Sequence, residues 1–255
     1  QYLTKGIERH PVKITTFVEA PPGSGLGSSS ALVVALISAI AEYYSIPLGE
    51  YDVAEYAVEI ERNICNLPGG KQDQFAAAFG GFNFIEFLPD GRTIVNPLRL
   101  NPKTQNMLEL STVLYYVGKP RMDERVIENT SQNLLNNDEA TLQATHRIKS
   151  AAIEYKRSLL LGDVDKICET MNTYWKNKIQ TNEKVVSPEL LDSYEFALKN
   201  GAKAAKISGA GGGGHMILFT DFERRHQLIS ALKKRKKGRV VPFKFVKHGV
   251  DVWRP

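Results

Sequence analysis

Pro21-Pro22-Gly23-Ser24-Gly25-Leu26-Gly27-Ser28-Ser29-Ser30-Ala31 runs directly into the apolar stretch from Leu32 to Ile40. Glycines on alternate positions (Gly23, Gly25, Gly27) let the backbone come close to a ligand with its N–H groups pointing outward. The serines that follow fall where a helix would begin, so unpaired amides and the positive end of the helix dipole face the same point. Such a loop is an anion site, and phosphate is its usual guest.

Several phosphate loops can be set against it. A Walker A loop needs Lys-Ser/Thr after its last glycine, and this loop has no lysine. A dinucleotide loop needs Gly-x-Gly-x-x-Gly followed by a second strand. Here the third glycine comes one residue early, and Ser45-Ile46-Pro47-Leu48-Gly49 is too short and too rich in Pro and Gly to be that strand. The His-Arg-Asp and Asp-Phe-Gly triplets of protein kinases are absent. Standing alone, the loop would also suit a plain turn ahead of a buried helix.

A second glycine run changes the balance. Lys206-Ile207-Ser208-Gly209-Ala210-Gly211-Gly212-Gly213-Gly214 precedes the strand-like His215-Met216-Ile217-Leu218-Phe219-Thr220. Six of the twenty glycines lie between Gly201 and Gly214. So many glycines cannot form a stable helix or strand, and their use is a second close backbone approach.

The Pro-x-x-x-Gly-Leu-Gly-Ser-Ser loop and the later run resemble the central and C-terminal glycine motifs of the GHMP kinases (galacto-, homoserine, mevalonate and phosphomevalonate kinases). The resemblance covers essentially the whole chain. It implies an α+β, two-domain fold with ATP as co-substrate and Mg2+ as cofactor.

Composition sets the outer bounds. A chain of 255 residues, 42% hydrophobic, can bury a large core in one or two domains. No apolar run approaches the ~20 residues that cross a bilayer, and no signal peptide opens the chain, so no membrane partner is expected. Cys65 and Cys168 stand in no metal or redox spacing and read as reduced thiols of a cytoplasmic protein. The net charge of +5 owes part of its excess to Lys233-Lys234-Arg235-Lys236-Lys237. That run closes a helical pattern, where cations suit the negative dipole end, and Gly238 stops it. Without interleaved aromatics it does not call for nucleic acid.

The chemistry falls in the middle of the chain. Asp52 with Glu55 reads as a capping-box start, and Val53, Ala57, Ile60 and Ile64 recur at helical spacing. Glu61 lies on the margin of that stripe, either leaning into solvent or half-buried with a partner. Leu67-Pro68-Gly69-Gly70 then breaks the chain, and Asp73 opens a short helix that ends at Gly80-Gly81. The helix start, with Lys71 nearby, is expected to hold Asp73 ionised. On the residues alone, Asp73 could equally be an N-cap.

The resemblance assigns roles position by position. Gly23, Ser24, Gly25, Leu26, Gly27, Ser28 and Ser29 match the triphosphate loop, and Ser29 the hydroxyl that reaches magnesium. Glu61 matches the metal-binding glutamate, with one extra residue between it and the aspartate compared with the mevalonate kinase pattern. Asp73 matches the catalytic aspartate, with Lys71 beside it in the catalytic set. Ser208, Gly209, Ala210, Gly211, Gly212 and Gly213 match the loop that closes over the reacting phosphoryl group.

Within the superfamily, residues 69–83, the Ile94–Leu98 turn, Lys206–Gly214 and the Val241-Pro242-Phe243 ending with late Trp253 are similar to the D-glycero-D-manno-heptose 7-phosphate kinases. That implies a phosphorylated sugar as acceptor, receiving the new phosphoryl group on its anomeric hydroxyl. One departure is local: Lys119-Pro120-Arg121 stands where those kinases carry a serine-rich stretch. Arg121 is the expected ligand of the substrate phosphate, with Lys119 and Lys178 as further candidates or ordinary surface charges. A galactokinase- or fucokinase-like hexose kinase stays open as an alternative, as does an inactive nucleotide-binding relative. Oligomeric state is not read.

Strand-like runs fall at 12–18, 82–87, 93–95, 112–117, 215–220 and 240–246, and helical runs at 29–44, 53–65, 122–136, 139–161, 163–180, 187–200 and 222–236. Helices grouped between strands without strict alternation favour α+β. The expected division is 1–105, a nucleotide-binding domain, and 106–255, a helix-rich C-terminal domain. The family carries several strands and a motif ahead of the first glycine loop. Since only about twenty residues precede the loop here, the nucleotide domain is expected to be truncated.

Overall fold

A computed structural model describes residues 3–4, 6, 8, 10–21, 23–118, 123–181, 186–209, 211, 213–235 and 237–254, with no side-chain description for 123–126. Two compact units divide the chain. One comprises Gln1–Pro22, Gly27–Leu98 and Val246–Pro255, the other Gly23–Leu26 and Arg99–Phe245.

The first unit is built from α1 (Ser28–Tyr43), α2 (Glu50–Val58), a π-helical turn (Glu59–Ile64), α3 (Gln72–Phe79) and an antiparallel hairpin of β1 (Asn83–Phe87) and β2 (Thr93–Pro97). Val34 and Ile37 of α1, Val53, Ala54 and Ala57 of α2, Phe75 and Ala78 of α3 and Val95 of β2 form its core. Val53 and Ala57 of the stripe read in the sequence are in this core, whereas Ile60 is only partly buried and Ile64 is exposed. Asp52 accepts from the Gly49 amide at 2.8 Å, so Gly49 caps α2. The Val95 amide donates to the Tyr51 hydroxyl at 2.9 Å and ties the hairpin to α2. The last residues return here. Arg254 pairs with Glu42 at 2.8 Å at the end of α1, and Gly249 lies so close to Ala78 that a Cβ would come within 2.0 Å of its carbonyl oxygen.

The second unit carries a sheet of order β4-β5-β3-β6, antiparallel throughout. Its strands are β3 (Thr112–Gly118), β4 (Ala202–Ile207), β5 (Gly214–Thr220) and β6 (Arg239–Val241). Around them lie α4 (Pro102–Ser111), α5 (Asp123–Leu135), α6 (Glu139–Leu161), α7 (Val164–Thr181), α8 (Pro188–Lys199) and α9 (Arg225–Lys234). Tyr115 faces Met216 and Ala205 faces Leu218 in register. These residues join Trp175, Leu190, Ile207, Leu228 and Leu232 in one core. The basic run near Arg235 is anchored locally: Arg235 pairs with Asp192, lies over the Phe196 ring and donates to Ser193 Oγ at 2.9 Å.

The fold departs from the sequence expectations in five places, one being the strand expected over 240–246, which ends at Val241. Residues 12–18 form no ladder among the described residues, and Val12, Ile14 and Phe17 are exposed at 51%, 55% and 85%. Alternation suits a pleat, but a strand exists only when another backbone takes its hydrogen bonds. Conversely β4, Ala-Lys-Ala-Ala-Lys-Ile, has weak strand propensity and forms because β5 pairs along it. Near the expected boundary stands α4, whose first turn is capped by the Asn101 side chain accepting from Lys103 N at 2.8 Å with Pro102 at the first position. The helix expected over 53–65 starts at Glu50 and widens to π geometry from Glu59.

Candidate active site

Helix α1 starts on Gly27 in the left-handed conformation (φ 67°, ψ 23°), with no side chain capping it. The amides of its first turn are therefore left for a ligand, as the glycine-serine pattern requires. A Cβ on Gly27 would sit 3.0–3.2 Å from three atoms of the Asp73 side chain. The absence of that Cβ lets a carboxylate from α3 lie directly against the opening of α1.

Ser29 reaches the same place. Its hydroxyl donates to Glu61 Oε1 at 3.0 Å, and Gln74 Nε2 donates to Glu61 Oε2 at 2.5 Å. Glu61 is only 3% exposed. It is a buried carboxylate held by neutral donors, not a residue leaning into solvent. The π turn accounts for its aim. Glu61 stands within the π-helical turn Glu59–Ile64, whose wider winding rotates its side chains relative to those of α2.

Asp73 differs from expectation. Burial raises its carboxyl above the ordinary value, opposed by the Arg62 guanidinium and a hydrogen bond from Gln72, while the Glu61 charge raises it further. Lys71 is not the cation that acts on it. The Lys71 ammonium donates to the Gly91 carbonyl at 3.3 Å, in the β1–β2 turn. Arg62 takes that place and also pins the loop ahead of α3, donating to the carbonyls of Gly70 (3.0 Å) and Leu67 (3.3 Å). Removing desolvation alone would return Asp73 toward the common range, so enclosure wins over the charge of Arg62.

Arg62 and Gln74 were not singled out by sequence. Gln74 had a signal: it lies four residues before Ala78 on the buried side of α3 and is itself fully buried. A polar residue on an apolar stripe implies a partner. Arg62 had none beyond its place next to Glu61.

In the second unit the two glycine runs meet backbone to backbone. A Cβ on Gly25 would lie 2.6 Å from the Ser208 carbonyl oxygen, one on Gly209 3.0 Å from Gly25 Cα, and one on Gly214 2.5 Å from the Ser24 carbonyl oxygen. The close approach read from the glycines is thus first an approach of one loop to the other. His215, 2% exposed, locks it. Its amide donates to the Ser24 carbonyl at 3.0 Å and its Nδ1 lies 2.8 Å from the same oxygen, which requires the proton on Nδ1. Ser208 N donates back to the His215 carbonyl at 2.7 Å. The Leu26 amide turns in to Ser24 Oγ at 3.4 Å. Ala210, Gly212, Lys119 and Arg121 lie outside the described residues.

The donor set suits a hard cation. Among the described residues no three His, Cys, Asp or Glu side chains are grouped to hold a metal. Glu61, the Ser29 hydroxyl and Asp73 offer oxygen only. Mg2+ fits so sparse a set, because it keeps several waters and completes its shell with phosphate oxygens. No helix among the described residues is long and apolar enough to cross a membrane.

Comparison with known proteins agrees in kind. Residues 1–81 match the GHMP kinases N terminal domain and residues 155–238 the GHMP kinases C terminal domain. The chain is 42% identical over 254 residues to the D-glycero-alpha-D-manno-heptose 7-phosphate kinase of Campylobacter jejuni, covering 99% of this chain and 74% of that protein. It is 29% identical to a galactokinase of Thermococcus kodakarensis, over 82% of this chain and 64% of that one. Among solved structures, a D-glycero-D-manno-heptose 1-phosphate kinase from Bacteroides thetaiotaomicron superposes with a TM-score of 0.72 at 36% identity, covering 92% of this chain and 66% of that chain.

Proposed function

The chain belongs to the GHMP kinases, and from that premise we propose that it moves the γ-phosphoryl group of ATP to the anomeric hydroxyl of D-glycero-D-manno-heptose 7-phosphate. The observation that carries the reaction type is the Asp73 carboxylate lying against Gly27 at the start of α1, with Ser29 bonded to buried Glu61 nearby. What supports the acceptor is the 42% identity to a kinase of that sugar.

In this reading the amides of Gly25 to Ser29 hold the phosphates of ATP and offer preorganised positive charge where negative charge moves. Asp73 accepts the proton of the attacking hydroxyl as that oxygen bonds to the γ-phosphorus. The bond from phosphorus to the β,γ-bridging oxygen breaks, and ADP leaves with the electron pair. Glu61 and the Ser29 hydroxyl would hold Mg2+, which would supply positive charge to neutralise the phosphates. Gln74 keeps Glu61 in place. The raised carboxyl of Asp73 suits a base, since a proton acceptor works best with its pKa near the working pH. Use of ATP supports a cytoplasmic reaction in this reading.

Turnover decides it. ADP release with heptose 7-phosphate should exceed that with unphosphorylated heptose or galactose by at least about 100-fold in kcat/KM, the scale of discrimination when a built polar site loses its partner. Preference for a neutral sugar would overturn the acceptor in favour of a hexose kinase. Binding of ATP without turnover on any of the three would make the chain a nucleotide-binding relative.

A further inference from the structure

His215 turns two donors onto one oxygen. The amide of this β5 residue lies 3.0 Å and its ring Nδ1 2.8 Å from the Ser24 carbonyl oxygen. Its own carbonyl accepts from Ser208 N at 2.7 Å, so one residue is hydrogen-bonded to both glycine loops. His215, Ser24 and Ser208 all belong to the second unit. A carbonyl oxygen offers two lone pairs. One donor leaves a carbonyl free to swing about the bond, while two donors from different positions fix its orientation.

The ring that supplies the second donor is itself held. Tyr116 stands opposite His215 in the β3–β5 ladder, their ring centres 4.9 Å apart and their planes inclined by 45°. The Arg239 guanidinium lies 5.4 Å from the centre of the Tyr116 ring. Ser24 needs such a hold, because it stands between Gly23 (φ 71°) and Gly25 (φ 70°), residues with the least steric restriction. Fixing one backbone unit costs about 1–2 kcal/mol of conformational entropy. A loop ordered in advance spares its ligand that cost. The peptide joining Ser24 to Gly25 is trans, and in a planar trans peptide the C=O and N–H point in opposite directions. The direction of the Ser24 oxygen therefore dictates that of the Gly25 N–H, the first of the amides assigned above to the phosphates of ATP.

We propose that His215 is a positioning residue of the nucleotide loop, whose imidazole Nδ1–H, acting through the Ser24 carbonyl, aims the Gly25 N–H at a phosphate of ATP. This rests on the nucleotide part of the reading in the previous section and is independent of the acceptor. The side chain and not the backbone carries the role, since the amide of any residue at this position would make the first hydrogen bond alone.

Calorimetry on the full chain tests it, with Mg-ATP and adenosine as titrants. His215→Leu keeps the bulk and loses the donor, while His215→Asn places an amide N–H the same number of bonds from Cα as Nδ1. In His215→Leu the dissociation constant for Mg-ATP should rise about tenfold, with that for adenosine unchanged. His215→Asn should restore most of the Mg-ATP affinity. A general loosening of the fold would neither separate the two titrants nor be rescued by Asn. An unchanged Mg-ATP constant in His215→Leu overturns the proposal, as does equal weakening of both titrants or a failure of Asn to rescue. Should the Leu variant not fold, NMR of the unaltered protein with isotopically labelled histidine decides. The His215 Nδ1–H signal should move on addition of Mg-ATP and not of adenosine, and an unmoved signal overturns the positioning role. Unaltered protein that binds no Mg-ATP would refute the nucleotide loop and the part of His215 with it. Mg-ATP affinity that depends on His215, without turnover of heptose 7-phosphate, would support the positioning role and refute only the proposed reaction.

Discussion

Asp73 shows how one side chain carries both function and cost. Its raised carboxyl means the folded protein holds a proton that the unfolded chain has already released. Stability therefore falls as pH rises through the ordinary carboxylate range and the raised value, and stays lower above both. Asp73→Asn removes that burden. It should raise the melting temperature at pH 7 relative to the unaltered protein, and the difference should vanish at a pH below both values. The same substitution should cut kcat by about 10²–10⁴-fold if Asp73 is the base, with ATP affinity retained. In the unaltered enzyme the acid limb of kcat/KM should lie above the usual carboxylate range. Because the Arg62 charge lowers Asp73, Arg62→Gln should move that limb to still higher pH. A melting temperature that drops in Asp73→Asn, or turnover close to normal, would return the residue to a plain helix-start aspartate.

At the scale of elements, two devices do the positioning. The π turn after α2 turns Glu61 inward, where Ser29 from α1 and Gln74 from α3 meet it. The pairing of the two glycine loops depends on missing Cβ atoms, most severely at Gly214, whose added Cβ would meet the Ser24 carbonyl at 2.5 Å while φ is +86°. Gly214→Ala must break the His215–Ser24 hydrogen bonds or shift one loop. Strain at a left-handed position and one lost buried hydrogen bond each cost about 1–3 kcal/mol. A fall of several degrees in melting temperature is expected, with ATP affinity reduced as well. Thermal scanning and calorimetry read the two effects; unaltered values in both would show that the loops can separate at no cost.

For the molecule as a whole, the last residues matter more than their distance along the chain suggests. Residues from Val246 onward belong to the first unit, although the sequence reading counted them with the second. Gly80 and Gly249 permit that return, since a Cβ on either would fall 2.0–2.1 Å from backbone atoms of the segment it crosses. Gly249→Ala should therefore loosen the first unit while leaving the core around Trp175 and Leu218 intact. Hydrogen exchange should show faster exchange in α1 and α3 and unchanged protection in β3 and β5. Equal loosening of both units, or of neither, would count against this division of labour.

Local rules made much of this protein legible from its sequence. The glycine loops, the helix that follows Ser28, the stripe of α2, the hairpin and the buried β5 all depend on spacing and on residue type within a few positions. The positions of Ser29, Glu61 and Asp73 at the start or on the margin of a helix were legible in the same way, while their expected roles came from the resemblance to the GHMP kinases. Tertiary structure alone decided the rest. Whether Val12–Val18 becomes a strand depends on a partner backbone, and whether Ala202–Ile207 does depends on β5. Which cation acts on Asp73 is a matter of distance through space, so Arg62 and not the adjacent Lys71 has that part. Lys203 and Lys206 lie three positions apart on one strand, yet among the described residues only the first finds carboxylates. Spacing along a chain specifies which face a side chain occupies, while its charge state and partners come from what other segments bring to that face.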